Sequence, residues 1–505
     1  MAFSSYHFIL IFLPLCYAGF VLVHRIFGWN GVFPYLALAS IVFYAQFSVI
    51  LATILATSVV LNFLAGRFII EIQDKRNAAS MATAIAVIAN LVALGYFKYT
   101  NFFIDVSNQV SGAGFSHLDI VLPVGISFYT FIQIGFLLEA YNGQAEKVSF
   151  SRYALFATFF PCVTAGPLVL QREMFQQMEE KKGPAFSSVA VAVGLTLFGI
   201  GVFKKVILAD SIAPFADAAF DGVASGAAIS MVQAWVGSLC YTMQLYFDFS
   251  GYCDMAIGIG FMFGIKLPLN FNSPFKATSI ADFWRRWHMT MTRFFTTYLY
   301  TPSAMKNTRR AIQLQYSPWH KFMRASAIPV TYTFVVAGIW HGAGWGFVVY
   351  GLIHGLALAV NHGWREFKMP DVGPYVGWAL TMTVVICGLV VFRAPDLSVS
   401  ATILASMWGL GGLFGSVDAG RWVASELTWP TIMIAVYSII VLKAPNSQEI
   451  LRSQWVSCDP EPQESAARPI WRWKPTPGWA AAAGLVLAIA ITSLGNSSNF
   501  LYYQF

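Results

Sequence analysis

Apolar stretches nearly as long as a lipid bilayer is thick recur along this whole sequence, and nothing constrains its fold more. A membrane-spanning helix needs roughly 20 apolar residues. Candidates run over 7–23, 31–50, 51–70, 79–97, 120–141, 153–171, 186–207, 229–248, 250–266, 327–340, 343–361, 374–393, 400–415, 428–443 and 477–494. Composition agrees. Of 505 residues, 57% are hydrophobic and 11% charged, and the mean hydropathy is +0.61, whereas a soluble globular protein carries about 25% charged residues. A larger soluble core would not remove the need for a polar shell. The chain therefore reads as an all-α, polytopic integral membrane protein. Several stretches are short or broken by Gly and Pro, so about 11 to 13 true spans are expected, the others being re-entrant or interfacial. Broken segments near 161–167 (Pro161, Gly166, Pro167) and 338–346 point to a cavity in the middle of the fold, because irregular backbone in a bilayer must be surrounded by protein or water.

Two stretches, 267–326 and 444–476, are too polar to span. The expected organisation is a core over 1–395 and C-terminal helices over 396–505 with a polar connector at 444–476. No repeat of fixed period is visible, which weakens an inverted-repeat transporter. The 31 Lys and Arg exceed the 24 Asp and Glu, but they sit in short clusters such as Lys75-Arg76, Lys306 to Arg310 and Arg468 to Lys474. That is the pattern of cytoplasmic loops under the positive-inside rule, not of nucleic-acid binding. The six cysteines form no C-x-x-C pair, so neither a disulfide framework nor a zinc site is expected. The N-terminus lacks the basic region of a secretory signal, and its first apolar segment is expected to stay as a membrane helix.

Two runs could carry chemistry. In Ser279-Ile-Ala-Asp-Phe-Trp-Arg-Arg-Trp-His288, Ser279 and Asp282 have the spacing of a helix N-cap. One helix from there would put Trp284, Arg285 and His288 on one face, with Asp282 placed to pair with Arg285 or Arg286. An interfacial helix anchored by Trp and Arg is the plainer reading. In Val336-Ala-Gly-Ile-Trp-His-Gly-Ala-Gly-Trp-Gly346, glycines at every fourth position allow close helix packing. His341 is embedded there in an apolar run, where an ionisable group is by default a functional candidate; burial favours the neutral imidazole, which can accept a proton. A structural histidine bridging two helices is the alternative. His354 lies 13 residues on, about 20 Å along one continuous helix. It can share a site with His341 only if the helix breaks between them, so packing or hydrogen bonding between helices is its expected role. His362 is a weaker candidate, and His7, His24, His117 and His320 fall at span ends or in loops. No G-x-S-x-G, H-x-x-x-x-D, H-E-x-x-H, Walker A or G-x-G-x-x-G motif occurs. That leaves His341 and His288, and proton abstraction from a hydroxyl needs little more than one well-placed neutral imidazole.

Tyr241-Thr-Met-Gln-Leu-Tyr-Phe-Asp-Phe-Ser-Gly-Tyr-Cys-Asp-Met-Ala-Ile-Gly258, Asn270-Phe-Asn-Ser-Pro-Phe, Asp282-Phe-Trp-Arg-Arg-Trp-His288 and Ile339-Trp-His341-Gly together resemble the membrane-bound O-acyltransferase family. Leu122 to Phe131, Phe160-Pro161 with Ala165-Gly-Pro167, Phe203-Lys-Lys-Val206 and the tail Phe500 to Phe505 agree. The branch that it is most similar to carries out bacterial alginate O-acetylation. The resemblance implies a ring of tilted helices around a central tunnel. His341 matches the near-invariant family histidine and His288 the second histidine of the bacterial branch. Trp284, Arg285, Trp287, Trp340, Asn270, Asn272 and Asp248 are the residues that it would place along the substrate and donor tunnel.

The implied chemistry is acetyl transfer from cytoplasmic acetyl-CoA, with no bound cofactor or metal. The acetyl group would pass through the tunnel to a periplasmic or membrane-anchored esterase-like partner, and from it to a polysaccharide, at the bacterial inner membrane. In alginate-type proteins a Gly-rich loop follows the position of Tyr300; here the chain reads Thr301-Pro-Ser-Ala-Met-Lys-Asn307, so the resemblance does not imply the acceptor polymer. D-alanyl or other acyl transfer to an envelope polymer, and a non-catalytic lipid or acyl transporter, are the alternatives.

Overall fold

A computed structural model describes residues 2–145, 147–180, 186–413, 427–460, 471–496, 498 and 500–501. Arg468 and the end of the tail, from residue 502, lie outside the described residues. Among the described residues the fold is all-α, and its one β feature is an isolated bridge between Leu267 and Ser457. Among these residues seven helices are long and apolar enough to cross a membrane, from Phe8–Ala45 to Pro374–Arg393, and Leu397–Met407, Thr428–Lys443 and Pro477–Thr492 are shorter apolar helices. The candidates at 229–248 and 250–266 merge into one helix, Met231–Met262. The candidate at 153–171 is broken into Phe150–Thr158, Phe160–Val163 and a loop before Gln171–Glu179.

The chain forms two compact units, one from residues 1–203, 251–269 and 447–504, the other from 204–250 and 270–446. In the first, the irregular stretch around Pro161 and Gly166 is surrounded by protein: every residue from 153 to 171 is buried. That satisfies the requirement on irregular backbone at membrane depth. Thr164 and Tyr252 share a hydroxyl–hydroxyl hydrogen bond of 2.6 Å at its edge. Asn62 and Asn90 exchange amide hydrogen bonds of 3.1 and 2.7 Å, joining Val49–Glu71 to Arg76–Ser111. Two amides that satisfy each other are the inexpensive way to keep polar groups between apolar helices.

The second unit is organised by a helical hairpin. Ile328–His341 ends at Gly342, whose backbone is extended (φ −164°, ψ 163°), and Trp345–Glu366 begins after Gly344. The glycines explain how closely the two helices approach. A Cβ on Gly338 would strike the Phe347 carbonyl and lie 3.0 Å from the Gly351 Cα, and one on Gly351 would strike the Phe334 carbonyl. The sequence spacing of Gly338, Gly342 and Gly346 thus marks close packing, but not along one helix, because Gly342 lies in the turn. Gly351→Val is expected to cost about 1–3 kcal/mol through overpacking, read as a lower melting temperature in detergent. Gly484→Ala, inside the helix Pro477–Thr492 with open space around it, should not lower the melting temperature.

Candidate active site

Both candidate histidines belong to the second unit. His341 is the last residue of Ile328–His341 and is buried. His288 is wholly buried, with 0% of its surface exposed. The two imidazole ring centres are 6.3 Å apart. Trp340 lies against both, 5.0 Å from His341 and 6.1 Å from His288.

His288 is not placed as its sequence suggests. The helix capped by Ser279, whose side chain accepts from the Asp282 N–H, ends at Trp284. His288 instead takes a left-handed conformation (φ 44°, ψ 50°) as the residue before Met289–Phe295. A non-glycine residue held there is a local cost that the surroundings must impose. They do so by pairing two distant segments: the Met289 N–H donates to the Asn270 carbonyl at 3.0 Å, and the Asn272 N–H to the Arg286 carbonyl at 2.9 Å. The single face of Trp284, Arg285 and His288 therefore does not form. Arg285 is exposed and donates to the Ala281 carbonyl of its own turn at 3.2 Å, while Asp282 pairs with Arg286 at 3.0 Å.

Hydrogen bonding fixes the His288 tautomer. Asn270 Oδ1 accepts from the Thr290 N–H at 3.2 Å and from the Thr290 hydroxyl at 2.9 Å, and an amide nitrogen could not accept from a backbone N–H. His288 Nδ1, 3.1 Å from that oxygen, is therefore the protonated donor, and Nε2 carries the lone pair. Phe249 packs edge-on against this ring at 4.8 Å. His288 lies outside the seven long apolar helices, and burial pushes its pKa down from 6.5 to about 3. Because the folded value lies below the unfolded one, this histidine's contribution to stability is complete above about pH 6.5 and is lost as the pH falls toward about 3. The melting temperature should thus fall between about pH 7 and pH 5, and fall less in His288→Gln. An equal fall in both proteins would contradict this origin.

The remaining sequence candidates have separate surroundings. Trp287 stacks on Phe283 at 5.6 Å and meets Phe271 edge-on at 5.0 Å. Asn272 Oδ1 accepts from Asn446 Nδ2 at 3.0 Å. Asp248 is 2.6 Å from Lys205 Nζ, which also reaches Asp210 at 2.8 Å. All three side chains of this ion cluster are almost wholly buried.

Sequence spacing missed Tyr350, Phe392 and Phe249. Tyr350 lies 6.0 Å and Phe392 5.2 Å from the His341 ring. The break at Gly342–Gly344 also meets the condition under which His354 could approach His341. Its ring, 4.6 Å from Tyr350 and 5.1 Å from Trp284, is linked to His341 through Tyr350. Among the described residues neither ring nitrogen of His354 has a hydrogen-bond partner, so of its expected roles packing is seen and hydrogen bonding is not. In the other unit, Glu173, Cys458 and Asp459 have ligand atoms within 4.8 Å of one another. Both carboxylates are already engaged: Glu173 accepts from the Leu170 N–H and Asp459 from the Leu269 N–H.

Two buried imidazoles packed among aromatic rings, His288 with its lone pair on Nε2 and His341 beside it, suit hydrogen bonding to and proton transfer from a hydroxyl or thiol. Comparison with known proteins gives this chemistry a family. The profile of the membrane-bound O-acyltransferase family matches residues 128–371, which include both histidines. The chain is 39% identical over 447 residues to a peptidoglycan O-acetyltransferase of Helicobacter pylori, covering 82% of this chain and 81% of the relative. It is 34% identical to a probable alginate O-acetylase AlgI of Azotobacter vinelandii, over 87% of this chain and 84% of that one. It is also 32% identical to the probable alginate O-acetylase AlgI of Pseudomonas aeruginosa, over the full length of both. The chain is an acyltransferase and belongs to the membrane-bound O-acyltransferase family.

Proposed function

We propose that this protein takes acetyl groups from acetyl-CoA on the cytoplasmic side of the bacterial inner membrane. It passes them through a tunnel toward hydroxyls of an extracytoplasmic polysaccharide, with a periplasmic or membrane-anchored esterase-like partner completing the delivery. The observation that carries this reading is the buried pair His288 and His341 at 6.3 Å, with the Nε2 lone pair of His288 fixed by Asn270. Relatives named for O-acetylation of two different glycans favour acetyl as the acyl group.

In the proposed step an imidazole takes the proton of an acceptor hydroxyl as its oxygen attacks the thioester carbonyl. The C–O bond forms and the C–S bond breaks. The leaving thiolate recovers the proton, giving an acetyl ester and free coenzyme A. His341 is the base or acyl relay, and His288 assists from its fixed tautomer. The aromatic walls exclude water, which would otherwise hydrolyse the thioester and screen the charges that develop.

Purified protein in liposomes, supplied with acetyl-labelled acetyl-CoA, should release coenzyme A and pass label to a hydroxyl acceptor. A protein that moves label across the bilayer with the thioester intact would be a transporter, and the proposal would fall.

A further inference from the structure

We propose that the outer face of the helical hairpin, at the end remote from His341, is a binding site for an anionic phospholipid. A groove of about 640 Å³ runs between the start of Pro318–His341 and the end of Trp345–Glu366. Its walls include Trp319, Phe322, Tyr332, Leu356, Val360 and Trp364. From Trp319 to Val335, both on its lining, the helix rises about 24 Å, enough for an acyl chain in one leaflet of about 15 Å together with its headgroup. Trp319 packs on Phe367 at 5.7 Å and Ser326 meets His362 at 3.2 Å, so the two helix termini form one end of the hairpin. Exposed tryptophans at that end match the interfacial belt of a membrane protein.

Charge selects the occupant. Residues 301–324 hold Lys306, Arg309, Arg310, Lys321 and Arg324 and no acidic residue. At the other terminus Arg365 and Lys368 are exposed beside the mouth of the groove together with Glu366 and Asp371, so the net positive charge of this end comes from residues 301–324. Among the described residues, none of these basic side chains has a carboxylate within 4.0 Å. The Thr301–Gln313 helix is amphipathic and packs on the first turns of the hairpin, which adds basic charge where a headgroup would lie. Basic residues close to a membrane surface favour anionic over zwitterionic lipid. A zwitterionic lipid offers the same chains to the groove but no net charge to this end. The site therefore combines an apolar slot for one chain with a cationic rim for a phosphate.

Native mass spectrometry of the whole protein, from nanodiscs with equal phosphatidylglycerol and phosphatidylcholine, reads this directly. Phosphatidylglycerol should be retained in preference by roughly tenfold or more, and the preference should vanish in Lys321→Ala/Arg324→Ala/Arg365→Ala/Lys368→Ala. Val360→Trp, which fills the slot, should lose the bound lipid. Equal retention of the two lipids, retention unchanged in either variant, or equal binding of glycerol phosphate without chains overturns the proposal. If the quadruple variant does not fold, the unsubstituted protein supplies the test. Phosphatidylglycerol with brominated chains should quench tryptophan fluorescence more than brominated phosphatidylcholine does, and Trp319→Phe/Trp364→Phe should abolish the difference. A difference that is absent, or that survives those substitutions, overturns it equally.

Discussion

Replacing His341 with alanine is expected to lower O-acetyl transfer by about 10²–10⁴-fold while membrane insertion and abundance stay normal. The side chain ends its helix beside an extended glycine turn, so its removal leaves the backbone hydrogen bonds of the hairpin untouched. Its ring is held by Trp340, Phe392 and Tyr350 at 5.0, 5.2 and 6.0 Å, contacts that position the imidazole among aromatic rings. The loss should fall on the chemical step, with affinity for the thioester nearly unchanged. Measurement of acetyl transfer beside protein abundance in membranes checks both halves. Wild-type acetylation in this variant would sink the assignment, and loss of the protein itself would show that His341 is structural.

Lys205→Met should have the largest effect on stability, about 3–5 kcal/mol, seen as loss of folded protein from the membrane. The Lys205 ammonium lies between Asp248 at 2.6 Å and Asp210 at 2.8 Å, with about 3% of its side chain exposed. Removing it takes away the cation that two buried carboxylates share, and low-dielectric surroundings make the loss of that compensation costly. Adding Asp210→Asn and Asp248→Asn should recover much of the folded protein, because the charges then disappear together. Asp248 precedes Phe249, which packs on His288. If Lys205→Met folded normally and altered only affinity for substrate, Asp248 would belong to the tunnel rather than to this ion cluster.

The membrane character of the chain and most of its apolar helices were legible because hydropathy acts locally, through the twenty residues that a bilayer demands. His341 was legible for the same reason, as an ionisable group inside such a run. His288 was legible as a residue type but not as a geometry. Local pattern favoured a helix through it, and the competing force was the pairing of residues 270–272 with 286–289, which no window of sequence contains. The ion cluster escaped notice similarly: Lys205 and Asp210 are close in the chain, but Asp248 reaches them only in the folded protein. The approach of His354 toward His341 depended on a helix break at Gly342–Gly344. The glycines there could be read as a packing stripe or as a turn; close contact of Gly338 with Phe347 and Gly351 shows that they are both.

Mass spectrometry of the envelope polysaccharides from cells carrying the wild-type protein, the His341→Ala variant or neither gives the most direct test of acetyl transfer at the buried histidine pair. Acetyl esters are expected on one glycan in wild-type cells and on none in both other strains. Acetyl esters that persist with His341→Ala, or D-alanyl esters in their place, would contradict it.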